Sequence, residues 1–234
     1  MWIKEQIEQN HGIEVSKVLP VLDLSNFNQS VVQSRPTGVH IVAMIRPSTE
    51  RRNPEMTLRV LVEIYQKYRD KVKIFVFGIL EDDLGAYAEK VGIEGNLISD
   101  FTCLGFVPRD RISSMFNAAD IFLDMSHFQA FGRTGVEAMA AGCVPVLPMN
   151  GGVNEYAVDK LNSLVIDSSS FEAGVQALSY LIENDDKRID MKLKAKKSVR
   201  TFQLYEASKS LADLLIAKYH DRCQASTPKV IRTP

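Results

Sequence analysis

Residues Ser126 to Tyr156 read S-H-F-Q-A-F-G-R-T-G-V-E-A-M-A-A-G-C-V-P-V-L-P-M-N-G-G-V-N-E-Y. A loop bearing Gly132 and Gly135 runs into a small-residue helix at Gly135–Ala141. A short apolar strand, Val144–Leu147, follows and ends in a second glycine turn, Gly151-Gly152, and then Glu155. Loop, helix, strand and loop at this spacing form half of a βαβ unit. Its helix N-terminus offers backbone N–H groups to an anion at the carboxyl edge of a parallel sheet.

The rest of the chain repeats that grammar. Apolar runs at Val39–Ile45, Val72–Phe77, Thr102–Phe106, Ile121–Met125, Val144–Leu147 and Leu164–Ile166 are continuous rather than alternating, which suits strands covered on both faces. Helical periodicity separates them at Pro54–Tyr68, Asp83–Val91, Arg109–Asn117, Gly135–Ala141 and Phe171–Glu183. The pattern predicts an α/β, Rossmann-like, doubly wound parallel sheet over residues 36–185. Residues 1–35 hold a helical start at Trp2–Gln9, a short strand at Val15–Val21 and a polar run over Asn26–Ser34. Two further helices, Lys187–Lys197 and Tyr205–Tyr219, fill 186–219. The polar end, 220–234, is read as a flexible tail, disordered over Gln224–Pro234.

Composition narrows the function. The chain has 234 residues, 45% hydrophobic and 24% charged, with a net charge of −1. No basic field points to nucleic acid. Cys103, Cys143 and Cys223 are odd in number and far apart, and read as free thiols in a reducing cytoplasm. No run approaches the roughly 20 apolar residues that span a bilayer, and there is no signal-peptide pattern at the N-terminus. Metal-ligand spacings, a Ser–His–Asp elbow and a G-x-x-x-x-G-K-[ST] loop are all missing from the sequence, so neither metal nor cofactor is expected.

The stretch Gln129–Glu155 resembles the donor-binding signature of the retaining nucleotide-sugar glycosyltransferases of family 4, also called group 1. That family carries a Glu, seven residues and a second Glu. Glu137 stands at the second position and resembles the residue that accepts hydrogen bonds from both ribose hydroxyls, a task that suits an acceptor-only carboxylate. Gln129 stands at the first, the position that meets the donor sugar. It keeps an acceptor oxygen, gains an N–H₂ donor and lacks the charge that would steady a developing cation. Phe131-Gly132-Arg133-Thr134 is similar to the loop against the diphosphate, although Arg133 replaces an apolar residue and reads equally as ligand contact or solvated surface. Gly151-Gly152-Val153-Asn154-Glu155 resembles the G-G-x-x-E turn that closes over the nucleotide sugar; Glu155 reads alternatively as a helix cap.

After the first core strand the family places an Arg and, five residues on, a Lys against the diphosphate. Arg46 matches the first; Arg51 stands at the second, with Arg52 beside it and Asn53 where a Gly is usual. Arg grips phosphate bidentately where Lys cannot. Gly78 resembles the glycine beneath the nucleotide, and Phe106-Val107 the backbone that borders the base. His127 reads as a structural loop histidine.

The resemblance covers about 38–185 plus the C-terminal helices. It implies the C-terminal half of a two-domain GT-B enzyme, with 1–35 as interdomain passage and 186–219 packing on a missing N-terminal acceptor domain. It further implies transfer of a hexose or deoxyhexose from a nucleoside-diphosphate sugar to a glycan or lipid-linked acceptor, without metal, by a half that is inactive alone. The wording H-F-Q-A-F-G-R is similar to bacterial rhamnan and O-antigen transferases. Peripheral membrane contact would come through the absent domain. Alternatives are a nucleotide-sugar epimerase of the same fold, or a binding module that kept the pocket without activity. A phosphorylase would want a cofactor lysine within the signature, and a response-regulator domain would want acids where Arg46 stands.

Overall fold

The computed structural model describes residues 2–18, 20–27 and 38–225. The chain begins with α1 (Trp2–His11) and then alternates β1 (Val39–Met44), α2 (Pro54–Tyr68), β2 (Val72–Phe77), α3 (Glu81–Lys90), β3 (Thr102–Cys103), α4 (Ile112–Asn117), β4 (Ile121–Leu123), α5 (Arg133–Ala141), β5 (Val144–Pro148) and β6 (Leu164–Ile166). Three helices follow: α6 (Phe171–Glu183), α7 (Asp185–Ser198) and α8 (Leu204–Ala225). All strand pairs are parallel, in the order β3-β2-β1-β4-β5-β6. The order reverses between β1 and β4. In open α/β sheets that reversal opens a crevice at the carboxyl ends of the strands, where ligands bind.

The continuous apolar runs are explained by cover on both faces. Ile41, Ala43, Ile74, Val76, Leu123 and Val146 face a core closed by α2 and α6, while Val42, Phe77, Phe122 and Leu147 face one closed by α4, α5 and α7. Every residue of β4 and β5 is buried. Gly174 lets α6 lie against Val60 and Met125, where a Cβ would meet the Met125 and Val60 side chains at about 3.0 Å.

Several boundaries differ from the periodicity. The strand expected over Thr102–Phe106 stops at Cys103, because Gly105 takes a left-handed φ of 65° and turns the chain off the sheet edge. The residues of 15–21 that are described form no strand. Pro20 has no N–H for a ladder, and the backbone after it joins the body at Leu22, which bridges to Gln203 and donates its N–H to Phe202 O at 3.0 Å. Asn26 and Phe27 sit at a 3₁₀ turn; the rest of the polar run, 28–34, lies outside the described residues. Helix α8 continues through 220–225, and the tail beyond it is likewise outside them.

The helix read as merely basic, α7, buries Arg188, Met191, Lys192 and Ala195 along one stripe. Lys192 is 1% exposed and pairs with Asp120, 2% exposed, at the start of β4. The second oxygen of Asp120 accepts the His40 N–H at 2.9 Å, so one carboxylate ties α7 to β1 and β4. Removing one member of such a pair leaves a buried charge uncompensated, which costs about 3–5 kcal/mol. Lys192→Met should lower the unfolding free energy by about that amount in urea titration, and Asp120→Asn added to it should restore much of the loss.

Candidate functional site

Three loops meet at the carboxyl edge near the switch point: Arg46–Asn53 after β1, Asp124–Gly132 after β4, and Met149–Glu155 after β5. The first two are joined by the His127 N–H bonded to Arg51 O at 3.0 Å. Arg51 Nη1 donates to Phe128 O at 3.0 Å and to Gln129 Oε1 at 3.3 Å, and its guanidinium stands 5.3 Å from the Phe128 ring centroid. Arg52 Nη1 lies 3.7 Å from Asp124 Oδ2. Burial lowers the Arg52 pKa, with Arg51 and Arg46 adding to the effect and Asp124 opposing it. The three arginines of the sequence motif therefore share one field. Asn53 has φ 49° and begins α2 from a left-handed conformation, which explains why Asn can stand where a Gly is usual.

Gln129 is 4% exposed. Its Nε2 donates to Asp124 Oδ2 at 2.6 Å and to Ser126 Oγ at 3.0 Å. Asp124 Oδ1 accepts the Ser126 N–H at 3.0 Å and also the Ser126 hydroxyl. The amide is thus anchored inward, and it is Arg51 that its oxygen faces.

The second and third loops touch backbone to backbone. Gly152 N–H donates to Gln129 O at 2.7 Å, and Gln129 N–H to Asn150 O at 3.2 Å. A Cβ on Gly151 would fall 2.0 Å from Gln129 O, and one on Gly152 2.0 Å from Ala130 O. The glycine pair is required by this loop-on-loop approach. Gly132 (φ 84°) precedes α5, and Tyr156 fills the space above Gly132 and Gly135, its hydroxyl donating to Gly132 O at 2.9 Å. Phe131 turns inward onto Tyr156 and Phe202, 5.4 Å from each ring. Arg133 is exposed, Thr134 is half-buried, and the first turn of α5 presents their backbone N–H groups at the same edge.

Glu137, half-buried on α5, lines a cavity of about 390 Å³ with Asp23, Asn26, Phe27, Arg109 and Ser113. Desolvation raises its pKa; Arg133 and Arg109 hold it partly down. Glu155 pairs with Lys17 from the N-terminal segment. Gly78 has φ 89° and donates its N–H to Gly105 O at 2.7 Å, joining the ends of β2 and β3. Phe106 is 61% exposed, not a core residue. Val107 lines a separate apolar groove with Val42, Phe75, Leu104 and Met115.

Sequence reading missed Asp124, Ser126, Tyr156 and Lys17. Asp124-Met125-Ser126 carries an Asx-turn signal, an acid bonded to the N–H two residues on, but the apolar run absorbs it into a strand. Lys17 left no signal, because it is distant in sequence.

Among the described residues no group of His, Cys, Asp and Glu is placed to hold a metal ion, and no helix is long and apolar enough to cross a membrane. Residues 26–198 match the family model of the group 1 glycosyl transferases, and the chain belongs to that family. A D-inositol 3-phosphate glycosyltransferase of Corynebacterium urealyticum is 22% identical over 87% of this chain and 49% of its own length. Another, of Xylanimonas cellulosilytica, is 26% identical over 66% and 38%. The chain thus spans half or less of these relatives. In structure it is similar to a TarM variant of S. aureus in complex with UDP (TM-score 0.73, 15% identity, 91% of this chain and 41% of that one). It is also similar to Anabaena HepE in complex with UDP and glucose (0.67, 18%, 86% and 56%). The C-terminal domain of a group 1 family protein from Francisella tularensis aligns over 99% of its length and 78% of this chain (0.63, 20%). The fold is that of GT-B glycosyltransferases.

Two outcomes follow from the geometry. Gly152→Ala forces the β4 and β5 loops apart and should cost about 2–3 kcal/mol in chemical denaturation, the size of a backbone clash with no room to relax. Glu137 has its folded pKa above the ordinary 4.5, so the folded state holds the proton more tightly than the unfolded chain. The stability from its neutral form is complete below the ordinary value and is lost as pH rises through the folded one. Glu137→Gln should therefore gain melting temperature over wild type between pH 4.5 and neutrality, and no longer differ in acid.

Proposed function

We propose that this chain is the donor-binding half of a retaining glycosyltransferase that moves a hexose or deoxyhexose from a nucleoside-diphosphate sugar to a glycan or lipid-linked acceptor. The observation that carries the proposal is that the β1 loop bearing Arg46, Arg51 and Arg52 is held at the switch point against the β4 loop that leads into α5, where Glu137 lies one helix turn on in its cavity. A nucleoside diphosphate needs those groups: cations and N–H donors for the two phosphates, and a carboxylate acceptor for ribose hydroxyls. When the sugar leaves, charge grows on the diphosphate. Preorganised arginines stabilise that charge electrostatically, and no proton need pass through this half. The missing half of the length found in relatives would hold the acceptor. Leu204, Leu211, Leu215 and Tyr219 are exposed along α8 and suit packing on such a domain. On this proposal the chain alone binds donor and transfers nothing, works in the cytoplasm, and meets the inner membrane face only through its absent half.

A second reading, a binding module without catalysis, draws on Gln129, whose amide is turned inward, and on Glu155, which is held by Lys17. Titration of the chain with dTDP, UDP, GDP and ADP tests the donor site. One nucleotide at about 100 times its Kd should raise the melting temperature by roughly 5–10 °C, and Glu137→Ala should abolish the shift. Sugar transfer by the isolated chain would overturn its dependence on an acceptor domain. A full-length enzyme that binds donor yet turns over no acceptor would favour the module.

A further inference from the structure

The family pattern puts a carboxylate at position 129, and this chain puts an amide there. A buried carboxylate nevertheless sits one layer behind. Asp124 is 6% exposed, and its two oxygens receive Ser126 and Gln129. The orientation of the Gln129 amide is fixed by chemistry: Asp124 can only accept and Arg51 can only donate, so Nε2 must face the acid and Oε1 the guanidinium. On the other side Asp124 faces Arg52 at 3.7 Å. We propose that Asp124 is a positioning residue of the anion site, which carries the negative charge that the pattern assigns to residue 129 and acts on Arg51 through the fixed Gln129 amide and on Arg52 directly. This rests on the donor-site reading for what the arginines bind, but the relay itself stands on the hydrogen bonds.

The relay has room for one charge. A carboxylate in place of the amide at position 129 would set a second acid against Asp124, in a pocket where desolvation and like charge both oppose ionisation. Restoring the family residue should therefore harm this protein, and should stop harming it once position 124 is neutral. In the exchanged arrangement the amide introduced at position 124 would donate to the carboxylate introduced at position 129, which would accept from Arg51, with the net charge unchanged. Asp124 is faced by Arg52 directly, by Arg51 through the Gln129 amide, and by Tyr156, whose phenol burial and Asp124 push well above its ordinary value, while Arg51 and Arg46 act in turn on Arg52. These groups and the exposed His127 are common to every variant, so the pH comparison reads the change at positions 124 and 129.

The test compares wild type, Gln129→Glu, and Asp124→Asn combined with Gln129→Glu, by melting temperature at pH 5 and pH 8. The nucleotide that shifts wild type among dTDP, UDP, GDP and ADP serves as binding probe. Gln129→Glu should melt roughly 5 °C or more below wild type at pH 8 and less far below at pH 5, where the second carboxyl keeps its proton. It should bind the probe about tenfold more weakly at pH 8, since one charge beside a guanidinium is worth that order. The double variant should recover most of both losses and show no pH dependence beyond that of wild type. If Gln129→Glu does not fold at all, a soluble double variant supports the relay. A Gln129→Glu protein as stable as wild type at both pH values, or a double variant no better than the single one, overturns it. If no nucleotide shifts wild type, the donor-site reading fails, while the melting comparison still decides the relay.

Discussion

The structure depends on two backbones lying in contact where no side chain can fit. Gly151 and Gly152 bring the loop after β5 onto Gln129 and Ala130, with 2.0 Å left where a Cβ would be. That contact fixes the path of the β4 loop, and the β4 loop carries the groups that pair with the Arg51 and Arg52 side chains. Gln129 is bonded through its backbone on the side of Asn150 and Gly152 and through its side chain on the side of Asp124 and Ser126. It is a node between strands rather than a group held out to solvent.

From that node the electrostatics follow. Three arginines in one short loop would repel one another and resist burial. Asp124 offsets part of this for Arg52, and Phe128 covers Arg51 with its carbonyl and its ring. The result is a cluster of arginines with a buried counter-charge beside it. Glu137 lies on α5 in its own cavity, where burial raises its pKa and Arg133 and Arg109 oppose the rise.

The N-terminal segment shares this edge. Leu22 and Leu24 enter the core on the α5 and α7 side, Phe27 reaches the Glu137 cavity, and Lys17 pairs with Glu155. The segment expected as interdomain passage packs on the same domain as Glu137 and Glu155.

The fold was legible in the chain itself. Continuous apolar runs separated by helical stripes suit a parallel sheet covered on both faces, and G-R-T-G-V-E-A-M-A marks where a glycine loop runs into α5 at the carboxyl edge. The glycine pair was legible as a point of close backbone approach, and Glu137 and the arginine loop as polar groups placed at strand-to-helix turns. Direction was not legible. Sequence gives no means of knowing that Gln129 turns inward to Asp124, that Phe131 packs on Tyr156 and Phe202 while Phe106 stands out, or that Lys17 reaches Glu155. Each of these is a contact between residues brought close by the sheet order, and whether a side chain points into a crevice or into the core is decided by the neighbours it finds there. Local pattern set the strands, helices and ligand edge, because periodicity and backbone freedom are local properties. Which polar groups face the ligand and which hold them in place was decided by tertiary packing, because a buried donor must find an acceptor wherever the fold has placed one.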